Sequence, residues 1–104
     1  MFSAFKQLLG LASKTDYNAI LERGGVIIDV RTSYEYSSGH VNGSVNIPLS
    51  DLGVQLNRLS KDTPIITCCA SGMRSGSAKT MLERNGFKEV YNGGNWHNLK
   101  QYGK

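Results

Sequence analysis

Two short runs of apolar, β-branched residues stand out along the chain: VIIDV at 26–30 and PIITCC at 64–69. Neither alternates with polar residues, so each predicts a strand covered on both sides. Between them the apolar spacing changes to helical intervals. Tyr17, Ile20 and Leu21 share one face of a helix that Thr15 or Asp16 caps and Gly24-Gly25 stops. Leu52, Leu56 and Leu59 repeat the pattern over 51–59. Ala78, Met81 and Leu82 do so in a helix predicted from Arg74 or Ser75 to Asn85, with Gly86 as the stop. Residues 32–38 predict one or two helical turns, and SVNIPL at 44–49 a short strand ended by Pro48. FKEVY at 87–91 reads as a last strand, before Asn92-Gly93-Gly94 and a tail holding Trp96. Strands separated by helices predict an α/β fold of three layers, a mostly parallel central sheet with helices on both faces. Ligands of such sheets sit beyond the carboxyl ends of the strands, where Asp29-Val30-Arg31 and the segment from Cys69 to Arg74 both fall.

Length narrows this to one domain, because 104 residues are too few for two independent cores. Residues 13–104 make up that domain, and residues 1–12 an extension or short helix. Phe2, Phe5, Leu8 and Leu9 give the extension an apolar stripe, suited to packing on the domain or to a frayed end. No apolar run is long enough for a secretory core or a transmembrane span, which makes the cytoplasm the default location. Twelve Lys and Arg against eight Asp and Glu leave a formal charge of +4, which fits an anionic substrate. The basic residues form no run, and Lys88, Lys100 and Lys104 are spread out, so nucleic acid is not an expected partner.

Candidate chemistry centres on the only cysteines, Cys68 and Cys69. Neighbours in a strand point to opposite faces, so the pair forms neither an unstrained disulfide nor a useful metal site. Cys68 is expected in the core, since a resolving role requires local unwinding. Cys69 opens the loop Cys69-Ala70-Ser71-Gly72-Met73-Arg74-Ser75, between a buried strand and a helix. Small residues there let the backbone curl until several N–H groups converge on the Cys69 sulfur, with the helix start aimed at the same point. Such donors favour the thiolate, and Arg74 adds a positive charge able to steer an anionic donor. With two histidines and no Cys-His spacing, no metal or other cofactor is expected.

The ordered motifs make the resemblance specific. Asp29-Val30-Arg31 is followed by Glu35, then Gly39-His40-Val41-Asn42-Gly43-Ser44 leads into Asn46-Ile47-Pro48-Leu49. Next come the Cys69–Ser75 loop, Gly86-Phe87, Val90-Tyr91, Gly93-Gly94 and Trp96. Over roughly residues 15–98 the chain resembles a single-domain rhodanese, a thiosulfate-type sulfurtransferase. The resemblance implies a Cys69 persulfide, loaded from thiosulfate or another sulfane donor and unloaded to cyanide, a small thiol or a protein thiol. It implies that residues 70–75 bind the substrate, and that Asp29, Arg31, Glu35 and His40 support the site. Arg31 is expected to contact Glu35 or Asp29, and His40 to lock a turn. Trp96 is expected as a plug near the sheet edge and His97 at the surface. Met73 departs from the polar side chains common at its position and fits a thiol or protein-bound acceptor. Arg74 stands five positions after Cys69, one fewer than the related cysteine phosphatases use, so the loop suits one sulfur atom better than a phosphoryl group. A sulfur-relay module fed by a protein partner, with little activity on free thiosulfate, is the alternative.

Overall fold

Both apolar runs become the central strands of the sheet. In the computed structural model, which describes residues 15–104, β1 (Val26–Asp29) and β3 (Ile65–Cys69) pair in parallel with Asp29 opposite Cys68. β2 (Val45–Asn46) lies outside β1, and β4 (Val90–Asn95) outside β3, giving a parallel sheet of order β2-β1-β3-β4. Crossovers of this kind require helices on the sheet faces. These are α1 (Tyr17–Glu22), α2 (Ser33–Ser37), α3 (Leu49–Gln55) and α4 (Met73–Arg84), with short 3-10 turns over Leu56–Arg58 and Trp96–Tyr102. The predicted N-terminal element lies outside the described residues.

The sheet separates two apolar clusters. Ile28, Val30, Leu52, Ile65, Cys69, Ala78, Leu82 and Phe87 form one, while Ile20, Ile27, Val41, Ile66, Cys68, Trp96 and Leu99 form the other. The alternation of Ile65 and Cys69 with Ile66 and Cys68 follows from the period of two in a strand. Every residue of β3 is buried, as a strand covered on both faces must be. Asp16 accepts the Ala19 N–H at 3.1 Å and caps α1. Thr32 and Glu35 form a reciprocal capping box at the start of α2.

Three boundaries differ from the sequence reading. α4 begins at Met73 rather than at Arg74 or Ser75, because Gly72 adopts φ 104° and turns the chain into the helix. α3 begins at Leu49, immediately after Pro48, and the turn at 56–58 completes the predicted leucine face. The last strand covers Val90–Asn95, not 87–91. Phe87 N–H turns back to the Leu82 carbonyl at 3.1 Å and Lys88 N–H goes to Lys61 at 3.1 Å, so 87–89 belong to the approach. Asn92-Gly93-Gly94, expected to follow the strand, lies within it. Its register slips opposite the segment between Thr67 and Cys69, a bulge beside the last residues of β3.

Gly93 shows why that stretch carries so little side chain. A Cβ there would lie 2.8 Å from both Leu99 Cδ1 and the Thr67 carbonyl oxygen, and 2.9 Å from Ile66 Cγ2. The backbone atom cannot swing aside, so Gly93→Ala should lower unfolding stability by about 1–3 kcal/mol. Urea denaturation checks this; an unchanged midpoint would mean that the strand accommodates the methyl group without overpacking.

Candidate active site

Four strand ends converge where β1 and β3 stop, and the chain leaving β3 folds back over its own last side chain. Gly72 N–H points to Cys69 Sγ at 2.9 Å, and Ser75 N–H at 3.4 Å. The Ser75 hydroxyl oxygen lies 3.4 Å from the same sulfur. Thr67 secures the return, its hydroxyl donating to the Ser75 carbonyl at 2.9 Å. Cys69 has no exposed surface. Burial alone would raise its pKa. The Ser75 hydroxyl and the N–H groups of Ser75, Gly72 and Ser71 outweigh that and hold the thiol below its ordinary value. Cys68, one residue earlier and on the other face, has no such donors. Burial and the charge of Asp29 push its thiol up to about 12.

Asn92 is the site residue that the sequence reading missed. Its Nδ2 donates to the Gly72 carbonyl at 3.1 Å, and its Oδ1 lies 2.6 Å from Ser75 Oγ. It therefore grips both sides of the loop from the neighbouring strand, while Gly94 N–H donates to the same Oδ1 at 2.9 Å. Ser75 has a single hydroxyl proton. With Cys69 protonated, S–H donates to Ser75 Oγ and the hydroxyl donates to Asn92. With the thiolate, the hydroxyl turns to sulfur and Asn92 Oδ1 keeps the Gly94 N–H.

Arg31 pairs with Asp29, one of its two expected partners, while Arg74 takes a partner that was not expected. Asp29 and Arg31 are both buried, with Nε to Oδ1 at 2.9 Å and Nη2 to Oδ2 at 2.7 Å. Arg31 also donates to the Gly39 carbonyl at 2.7 Å and lies 4.5 Å from the Trp96 ring centre. It reaches Glu35 only at the backbone carbonyl, at 3.3 Å. The Glu35 carboxylate instead grips Arg74, at 2.8 and 3.0 Å. This hydrogen-bonded guanidinium and the Thr32 N–H hold the Glu35 carboxyl at about 2. Arg74, expected to face an anionic donor, thus has both terminal nitrogens on a carboxylate.

His40 stacks on Tyr36 with ring centres 3.7 Å apart, and its Nδ1 lies 2.7 Å from the Tyr36 carbonyl. Trp96 is buried in the second cluster, and exposed His97 lies against it with ring centres 3.9 Å apart. Ala70 and Ser71 are exposed on the loop, and Met73 is 80% exposed.

The family model described as the rhodanese-like domain matches residues 13–95. The chain belongs to the rhodanese-like family. A rhodanese from E. coli, solved with anions, superposes on this rhodanese-like domain with a TM-score of 0.64 and 32% identity, covering 71% of this chain and 89% of that one. An uncharacterized Bacillus subtilis protein, YqhL, is 41% identical over 70 residues, 67% of this chain and 56% of its own length. The thiosulfate sulfurtransferase GlpE of Pseudomonas fluorescens is 32% identical over 73 residues, 70% of this chain and 67% of that protein. Other relatives are named as a putative sulfur carrier and as tRNA uridine(34) hydroxylases, of which the aligned stretches span 36% and 28%. The rhodanese-like domain thus spans about half or less of several relatives that it matches. No helix among the described residues is long and apolar enough to cross a membrane.

If the Ser75 hydroxyl stabilises the thiolate of this rhodanese-like domain, Ser75→Ala should raise the Cys69 pKa. The pH–rate profile of iodoacetamide alkylation, mapped to Cys69 by peptide mass, should then move upward. An unshifted profile would leave the backbone N–H groups as the sole source of activation.

Proposed function

We propose that this domain is a sulfurtransferase that carries one sulfane sulfur as a persulfide on Cys69. The observation that carries this reading is the set of N–H and O–H donors converging on Sγ within 3.4 Å. They stabilise a charged sulfur, whether the thiolate or the outer atom of a persulfide. In the first step the Cys69 thiolate attacks the sulfane sulfur of the donor. The donor's S–S bond breaks and its electron pair leaves as sulfite from thiosulfate, or as a thiolate from an organic persulfide. In the second step cyanide or an acceptor thiolate attacks the outer sulfur, and the electron pair returns to Cys69. Because Cys69 is fully covered, each step includes a local opening that admits a sulfur atom. Ala70 and Ser71 stand at the exposed side of the loop, with Gly72 and Ser75 as the donors behind them. Asp29, Arg31 and His40 act one layer further out by fixing the ends of β1 and the turn after α2.

A sulfur-relay role is favoured by one specific observation. Met73, at the start of α4, places a flexible apolar side chain in solvent, where a protein donor or acceptor can cover it. A relay module would take sulfur from a persulfidated protein faster than from free thiosulfate, which steady-state rates with the two donors separate. A phosphatase reading lacks support, because Arg74 is engaged by Glu35 rather than free to bind a phosphoryl group.

Incubation with a sulfane donor should add about 32 Da to the intact protein, corresponding to one sulfur atom. Cyanide should remove this mass, Cys69→Ser should never acquire it, and Cys68→Ala should acquire it as the parent does. Failure to form the adduct with thiosulfate and with glutathione persulfide alike would sink the sulfur-transfer reading.

A further inference from the structure

We infer that Glu35, acting through Arg74, is a positioning residue that sets the charge class of the donor, turning the site away from thiosulfate and toward persulfides borne on an organic or protein thiol. The inference rests on the sulfur transfer proposed above and specifies its substrate. Arg74 is the second residue of α4, on the loop that encloses Cys69 and directly before Ser75, whose N–H points to that sulfur. Its fork is nevertheless closed by Glu35 on both terminal nitrogens. Glu35 is not free to swing away. Its Oε1 also accepts the Thr32 N–H at 3.0 Å and the Thr32 hydroxyl at 3.1 Å, while Thr32 Oγ1 accepts the Glu35 N–H at 3.2 Å. The helix cap therefore holds the carboxylate in place before any donor arrives, so little further ordering is needed to keep the ion pair.

The second arginine at these strand ends, Arg31, is neutralised by Asp29 in the same bidentate manner. Neither guanidinium at these strand ends is therefore left unpaired. What remains for a donor is the set of loop amides, which act over a hydrogen-bond distance on one sulfur atom. Thiosulfate brings a sulfonate that must sit outside that cradle, where the paired guanidinium offers little attraction. A persulfide R–S–SH brings a carbon-bearing thiol instead. Next to Arg74 lies a cavity of about 340 Å³ lined by Val30, Thr32, Pro48, Leu49 and Ser50, whose aliphatic walls suit the R group. The step balances without an added oxidant or reductant. Cys69–S⁻ attacks the terminal sulfur of R–S–SH, the R–S to S bond breaks, the new S–S bond forms on Cys69, and R–S⁻ leaves and takes a proton from water.

Glu35→Gln isolates the charge, because glutamine serves a capping box as well as glutamate and can still accept from Thr32 and Arg74. Two alkylating reagents with one leaving group, anionic iodoacetate and neutral iodoacetamide, read the field at Cys69 independently of sulfur transfer. In Glu35→Gln the iodoacetate-to-iodoacetamide rate ratio at Cys69 should rise about two- to fivefold at low salt. The ratio of kcat/KM for thiosulfate to that for glutathione persulfide should rise with it. Both gains should fade at high ionic strength and be absent when Arg74→Gln is added. Equal acceleration by both reagents would mean that the ion pair only restricts access, and would overturn the inference. An unchanged ratio, or a gain that survives Arg74→Gln, would overturn it as well. A shifted alkylation ratio with no persulfide from any donor would instead defeat the sulfur-transfer reading, and the donor preference with it.

Discussion

Burial opposes a negative charge on sulfur, and most of the local architecture around Cys69 works against that opposition. The compensation is backbone geometry rather than a neighbouring base. Gly72 can direct its N–H at Sγ because its φ of 104° is open to glycine and strained for other residues. Ser75 contributes its N–H because α4 starts two residues before it, and its hydroxyl because Asn92 holds that group in reach. Thr67 ties the Ser75 carbonyl to β3, so the cradle is anchored at both ends. Each of these parts is short and polar, and each sits where strand packing stops and loop geometry begins.

A second layer handles charge. Asp29 and Arg31 form a buried pair whose remaining hydrogen-bonding capacity is taken by the Arg31 N–H and the Gly39 and Glu35 carbonyls, as an ion pair away from water requires. The pair fixes the end of β1 against the turn that carries His40 and sets Arg31 on the face of Trp96. Glu35 and Arg74 join α2 to α4 across the strand ends, more exposed but bidentate. Charge at these strand ends is therefore organised in neutral couples, and the help that Cys69 receives comes from hydrogen bonds that are short-ranged and directional.

How much of this was legible in the sequence depends on how far apart the partners lie. β1 and β3 announce themselves because a strand buried on both faces must be apolar throughout, and no helix period fits such short runs. The cradle is legible because all its donors fall within six residues of Cys69. Asp29 and Arg31 are two positions apart, so their contact is a local matter. Arg74 and Glu35 are 39 positions apart and Asn92 and Ser75 are 17 apart, and nothing local names those partners. Only the strand order β2-β1-β3-β4 brings them together. The bounds of β4 depart from the sequence pattern for a related reason. Asn92, Gly93 and Gly94 have turn propensities, but a bulge and the close approach of Thr67 and Leu99 put small residues inside a strand.

The pleat that sends Cys68 and Cys69 into opposite clusters has a further consequence. Cysteines in many redox proteins discharge one another, closing a bridge that ejects the bound atom and resets the molecule. Parity along the strand forbids that shortcut here, since a whole sheet stands between the two thiols. In the sulfur transfer proposed above, cargo on Cys69 would find no partner in Cys68, and each delivery would wait for an encounter with another molecule.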